Sequence, residues 1–247
     1  MSKRRARSNA LYAVDNTIYL NEYTSNSFAK QKRIVTLNPK STNQKTYINL
    51  LTDETKNIVF ATGPAGTGKT MLAMLAGLKA LQDGAVSKIV LTRPAVGVDD
   101  EQHGFLPGDI RAKMEPWTRP LFDVIAEYYS PKEVAKMLDE QIIEIAPLAF
   151  MRGRTFKGTW IVADEMQNAT PGQIKMLLTR LGEGSKIVVT GDTRQADRLD
   201  KDNGLLDFKR LVERYQECQY VAGVEFAAKD IARHPAVAEI LEIYGES

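Results

Sequence analysis

The chain has 247 residues, the size of one large domain or two small ones. With 33 basic and 31 acidic residues the formal charge is +2, a near balance that excludes a histone-like polybasic binder and a disordered acidic tail protein. Hydrophobic residues make up 43% and charged residues 26%, no apolar run approaches the ~18 residues a membrane span needs, and the lone Cys218 excludes an intrachain disulfide and a thiolate zinc site. His103 and His234 are too few for most metal centres. The first residues lack a signal-peptide-like apolar region, so a reducing cytoplasm is the expected setting.

Residues 1–33 carry seven basic and two acidic side chains, a charge of +5 that leaves the remainder at −3. They are rich in Ser, Asn and Tyr without a sustained period and read as a flexible basic arm. Such an arm either touches phosphate backbones or is a solvated terminus. From Ile34 on, short apolar runs alternate with helical patterns. Asn38-Pro39 reads as a cap and first-turn proline opening a helix to about Leu51. Asn57–Thr62 is a buried strand, followed by a glycine loop and a helix over Lys69–Gln82. Lys88–Thr92 is the next strand, and residues 94–107 have no period. A helix from about Asp109 is punctuated by Pro116 and Pro120, and another begins after Pro131. Strands are expected at Ile142–Ala146, Thr159–Ala163, Lys186–Thr190 and Tyr220–Val224, and helices at Pro171–Leu181, Gly204–Tyr215 and Ala236–Tyr244. Continuously apolar strands separated by helices predict a single α/β domain over 34–247, a mostly parallel sheet with helices on both faces.

Gly63-Pro64-Ala65-Gly66-Thr67-Gly68-Lys69-Thr70 fits the P-loop pattern G-x-x-x-x-G-K-[ST]. Its glycines let the backbone curl so that N–H groups face phosphate oxygens, and the following helix adds the positive end of its dipole. Lys69 is expected to reach the β- and γ-phosphates, and the Thr70 hydroxyl to ligate Mg²⁺. The strand Thr159–Ala163 runs into Asp164-Glu165. Asp164 is placed to hold Mg²⁺ through water and Glu165 to orient or deprotonate the attacking water. Gly191-Asp192-Thr193-Arg194-Gln195, after the strand Lys186–Thr190, brings the Asp192 carboxylate and the Gln195 amide to the same sheet edge. The three elements together resemble motifs I, II and III of superfamily 1 helicases.

A closer resemblance follows from five blocks taken in order: Gly63–Thr70, Leu91-Thr92-Arg93-Pro94-Ala95-Val96, Gly104-Phe105-Leu106-Pro107-Gly108-Asp109, Asp164-Glu165-Met166-Gln167-Asn168 and Gly191–Gln195. With Arg233-His234-Pro235 they resemble the PhoH-like family from about Ile34 to Tyr244. The resemblance implies a RecA-like P-loop core, ATP hydrolysis with Mg²⁺, and similarity to RNA or DNA helicases. Superfamily 1 proteins use a glutamine before the first strand to read adenine, and Gln44 occupies that place; a solvent-facing helix glutamine is the alternative. The absence of a guanine-reading Asn-Lys-x-Asp also favours ATP. Arg93 is expected to leave a strand next to the P-loop strand, meeting nucleic acid or phosphate or serving as an exposed structural arginine. Trp117 and Tyr128-Tyr129 read as core aromatics first and as base-stacking groups second. The acidic 99–109 loop suits a subunit contact or a lid.

Three functions compete on this reading: an ATPase acting on RNA or single-stranded nucleic acid, a nucleotide-dependent switch acting on a protein partner, and a small-molecule kinase. Glu165 and the Gly191–Gln195 segment disfavour the kinase. Superfamily 1 helicases hold ATP between two cores, and no second core fits after Asp192. The charge-neutralising arginine is therefore expected from another subunit of a homo-oligomeric ring, most simply a hexamer. Arg233 is the first candidate, with Arg194 and Arg198 in reserve.

Overall fold

The computed structural model describes residues 33–94, 109–193, 203–215, 217–232, 236 and 243, with backbone alone over 109–117. The proposed arm at 1–32, the loop at 95–108, and Arg194, Gln195, Arg198 and Arg233 lie outside the described residues, as does nearly all of the expected last helix.

Six strands are described: β1 (Ile58–Thr62), β2 (Lys88–Thr92), β3 (Ile143–Ile145), β4 (Thr159–Ala163), β5 (Lys186–Gly191) and β6 (Val221–Glu225). They form one sheet in the order β3-β2-β4-β5-β1-β6, and every pairing is parallel. The helices between them are α1 (Thr42–Thr52), α2 (Lys69–Gln82), α3 (Asp109–Ala126), α4 (Pro131–Asp139), α5 (Pro171–Leu178) and α6 (Gly204–Tyr215).

Alternation along the strands sorts their side chains onto two faces. Val59, Ala61, Ile89, Leu91, Trp160, Val162 and Val188 join one core with Tyr47 and Leu51 of α1, Leu72 and Leu78 of α2, and Ile125 of α3. Phe60, Val90, Ile161, Ala163, Ile187 and Val189 join the other with Ile174 and Leu177 of α5 and Leu205 of α6. A sheet covered on both sides explains why its strands read as unbroken apolar runs. The expected parallel α/β architecture is the one observed.

Four expectations need correction. α1 starts at Thr42 because the Ser41 hydroxyl accepts from the Gln44 N–H at 3.2 Å, while the Asn38 amide turns to Thr36. α3 runs on through both prolines, whose spacing of four puts the two missing N–H donors on one side of the helix. α5 stops at Leu178 because the chain beyond it pairs with the segment before β4: the Phe156 N–H donates to Arg180 O, and Leu181 bridges Phe156. Finally, β4 and β5 separate β2 from β1, so Arg93 does not leave a strand beside the P-loop strand.

Candidate phosphate-binding site

At the end of β1 the chain turns through Gly63 at φ 133°, where an added Cβ would collide with the Phe226 carbonyl. Only glycine fits. Gly66 and Gly68 both sit at φ 81°, and Gly68 forms the N-cap of α2. The N–H groups of Gly66 and Gly68 find no acceptor among the described residues, leaving donors directed from the loop at the start of α2. Pro64 and Ala65 form the outer turn, whose Pro64 carbonyl accepts from the Thr67 hydroxyl at 3.0 Å.

Lys69 folds back over the loop. Its Nζ donates to the Gly63 and Pro64 carbonyls at 2.7 Å each and to Thr67 Oγ1 at 3.3 Å. Burial lowers its pKa, opposed by the negative charges of Asp192, Asp164 and Glu165. The three expected carboxylates thus converge electrostatically on the P-loop lysine.

β5 lies between β1 and β4, so its end separates the P-loop from the acidic strand exit. Asp164 Oδ1 accepts from Thr70 Oγ1 at 2.7 Å and from Thr190 Oγ1 at 2.6 Å. Thr70 and Asp164 therefore present hard oxygens side by side, the donor chemistry Mg²⁺ selects. The buried hydroxyls of Thr62 and Thr92, at the ends of β1 and β2, have no partner among the described residues. They add polar oxygens to the same sheet edge.

Glu165 adopts φ 53°, a left-handed conformation uncommon outside glycine and frequent where a site holds a side chain in an enforced direction. Its Oε2 accepts from Gln167 Nε2 at 2.5 Å, and Gln167 Oε1 accepts from the Asp192 N–H at 3.1 Å. Gln167 is 2% exposed, and a Cβ on Gly191 would press to 2.5 Å of Gln167 Oε1. One buried amide thus links the two acidic segments. Neither Gln167 nor Thr190 stands out in the sequence as a site residue. Gln167 sits inside the Asp164–Asn168 block, and Thr190 is an ordinary strand threonine until β4 and β5 pair.

Gln44 is 2% exposed, so the solvent-facing alternative is excluded. Its Nε2 donates to the Thr67 carbonyl at 3.0 Å and its Oε1 accepts from the Lys40 N–H at 2.6 Å, buttressing the P-loop from α1. A Cβ on Gly68 would lie 3.2 Å from Gln44 Nε2, a second reason for glycine there. Tyr129 is buried in the core and Tyr128 packs against it, which is the core reading of that pair.

The strand, glycine loop and helix, with a buried lysine bonded to the loop carbonyls and under the negative charge of three carboxylates, define a P-loop phosphate-binding α/β domain. The chain belongs to the PhoH-like protein family, whose pattern matches residues 36–245. It is 41% identical over 230 residues to the PhoH-like protein of Bacillus subtilis (strain 168), covering 92% of this chain and 68% of that one. It is 46% identical over 216 residues to the PhoH-like protein of Mycobacterium leprae (strain TN), covering 87% and 60%, and 40% identical over 195 residues to Protein PhoH of Escherichia coli (strain K12), covering 77% and 54%. The chain thus spans little more than half to two thirds of these relatives. Among solved structures it is similar to the Sulfolobus solfataricus SWI2/SNF2 ATPase core in complex with dsDNA, at TM-score 0.40, 14% identity, and 72% and 37% coverage. Similarity to domain III of the Thermotoga maritima replication initiation protein DnaA is at TM-score 0.35, 17% identity, and 82% and 69% coverage. Both likenesses are too distant to bear on activity. No helix among the described residues is long and apolar enough to cross a membrane.

Proposed function

We propose that the chain is a Mg²⁺-dependent ATP hydrolase whose turnover is coupled to RNA or other single-stranded nucleic acid. The observation that carries the hydrolase reading is the convergence on one P-loop of Thr70–Asp164, an adjacent Glu165 and Lys69. Each group has a task. The loop N–H groups receive phosphate oxygens. Lys69 exchanges its bonds to the Gly63 and Pro64 carbonyls for the β- and γ-phosphates. Thr70 and, through water, Asp164 would hold Mg²⁺, which supplies charge neutralisation for the phosphates. Glu165 takes a proton from the attacking water, and Gln167 holds that carboxylate in register with the Asp192 segment. A small-molecule kinase has no use for a water-activating glutamate beside its P-loop. Gln44 buttresses the loop and borders the place where adenine would lie.

One P-loop and one acidic strand exit make half of a two-core ATP site. The reading therefore includes a homo-oligomeric ring, hexameric in its simplest form, in which Arg233 of one subunit completes the site of the next. The coupling is tested by steady-state ATP hydrolysis with and without single-stranded RNA and DNA of mixed sequence. Stimulation of severalfold or more is expected. Robust hydrolysis that neither polymer alters would contradict the coupling and favour a nucleotide switch acting on a protein.

A further inference from the structure

An open depression of about 500 Å³ lies along α5, away from the P-loop, lined by Arg152, Gly153, Lys175, Met176, Thr179 and Arg180. We propose that this groove holds the sugar-phosphate backbone of single-stranded nucleic acid, with Phe150 as a base-stacking face at its edge. The proposal rests on the nucleic-acid-coupled reading above and assigns its surface.

The first support is charge. Segments 150–158 and 169–182 carry Arg152, Arg154, Lys157, Lys175 and Arg180 and not one acidic residue, although residues 34–247 are net negative. The fold sets these segments side by side, through the Phe156 N–H to Arg180 O bond and the Phe156–Leu181 bridge. Arg154 is held by Glu144 in a two-pronged ion pair at 2.6 and 2.8 Å and lies over the Phe156 ring. Arg152, Lys157, Lys175 and Arg180 have no carboxylate partner among the described residues. Arg180 is half-buried and fixed through the Arg154 carbonyl and Thr179, with its Nε–H unpartnered. A surface of cations without counter-carboxylates among the described residues matches a phosphodiester chain.

The second support is aromatic. Phe150 is 47% exposed in the short 3-10 turn Leu148–Met151, which packs against α5. Basic grooves paired with exposed aromatic faces are the common way of gripping single strands without sequence preference. The third is placement. α5 begins six residues after Glu165, and its Thr170–Gln173 capping box follows directly on the turn that holds Gln167. A strand seated along α5 therefore sits on the element that leaves the catalytic carboxylates, which gives the polymer a route to the rate of hydrolysis.

Arg152 and Lys175 are exposed, so Arg152→Glu with Lys175→Glu preserves the core. The test titrates fluorescein-labelled U20 and dT20 into the parent chain, the double variant and Phe150→Ala over a range of salt, with basal ATP hydrolysis measured alongside. The parent should bind both oligomers, since the recognised chemistry is the phosphate. The double variant should bind at least about tenfold more weakly, with its log K against log salt slope smaller by about 1.4, about 0.7 per lost phosphate contact. Its basal hydrolysis should match the parent's. Phe150→Ala should weaken binding about fivefold or more with an unchanged salt slope. A parent that binds and a double variant that binds equally well would overturn the groove and leave the nucleic-acid reading standing. A parent that binds neither oligomer would overturn both.

Discussion

Asp164 accepts hydroxyl bonds from Thr70 and Thr190 at once, and the Glu165 carboxylate is tied to Gln167; these contacts fix different consequences for neighbouring substitutions. Glu165→Gln keeps size and hydrogen bonding but removes the base. Hydrolysis should fall by about 10²–10⁴-fold while ATP binding, measured by equilibrium titration, persists. Unchanged turnover would move the water-activating role to another group, Gln195 first. Gln167→Ala removes the bridge and the amide oxygen that accepts from the buried Asp192 N–H. We expect kcat to drop by about 10- to 100-fold with KM for ATP little changed, the pattern of a positioning residue. A rise in KM alone would make Gln167 a binding residue instead. Lys69, Thr70 and Asp164 were legible in the sequence because short spacing and a strand exit define their chemistry. Gln167 and Thr190 were not, since the contacts that single them out, Gln167 with the Asp192 N–H and Thr190 with Asp164, form only when β5 enters between β1 and β4.

Glu144, on the edge strand β3, holds Lys88 of β2 and Arg154 of the segment leading to β4. Hydrogen bonding from Arg154, aided by Lys88, lowers its pKa from 4.5 to about 2 against the opposing effect of burial. On acidification the unfolded chain takes up this proton first. The pair's contribution is therefore full above about pH 4.5 and lost as the pH falls toward 2. The urea midpoint of the parent should exceed that of Glu144→Gln most above pH 4.5, and the difference should close toward pH 2. A difference independent of pH would mean the carboxylate's charge is not what stabilises this edge. Most element cores were legible, because apolar runs and the capping residues Ser130 and Thr170 act locally. Ends and order were less so. The stop of α5 depends on pairing with Phe156, and the displacement of β2 from β1 depends on β4 and β5, later in the chain, taking the places between them; neither is written in a local pattern.

At the scale of the whole molecule, the proposed ring brings Arg233 of one subunit to the site of the next. Arg233→Ala should bind nucleotide as the parent does and lose most turnover, an arginine supplied in trans being worth about 10³–10⁵ in rate. Mixing it with Lys69→Ala subunits should restore part of the activity, since each brings what the other lacks. A fully active monomer, shown by light scattering at the assay concentration, would contradict the ring. Hydrolysis of ATP at this P-loop, with Lys69 neutralising the transferred phosphoryl, is measured as phosphate release from purified parent and Lys69→Ala chains with ATP and Mg²⁺. The parent should turn over ATP and Lys69→Ala should not; equal rates for the two proteins would contradict the assignment of the site.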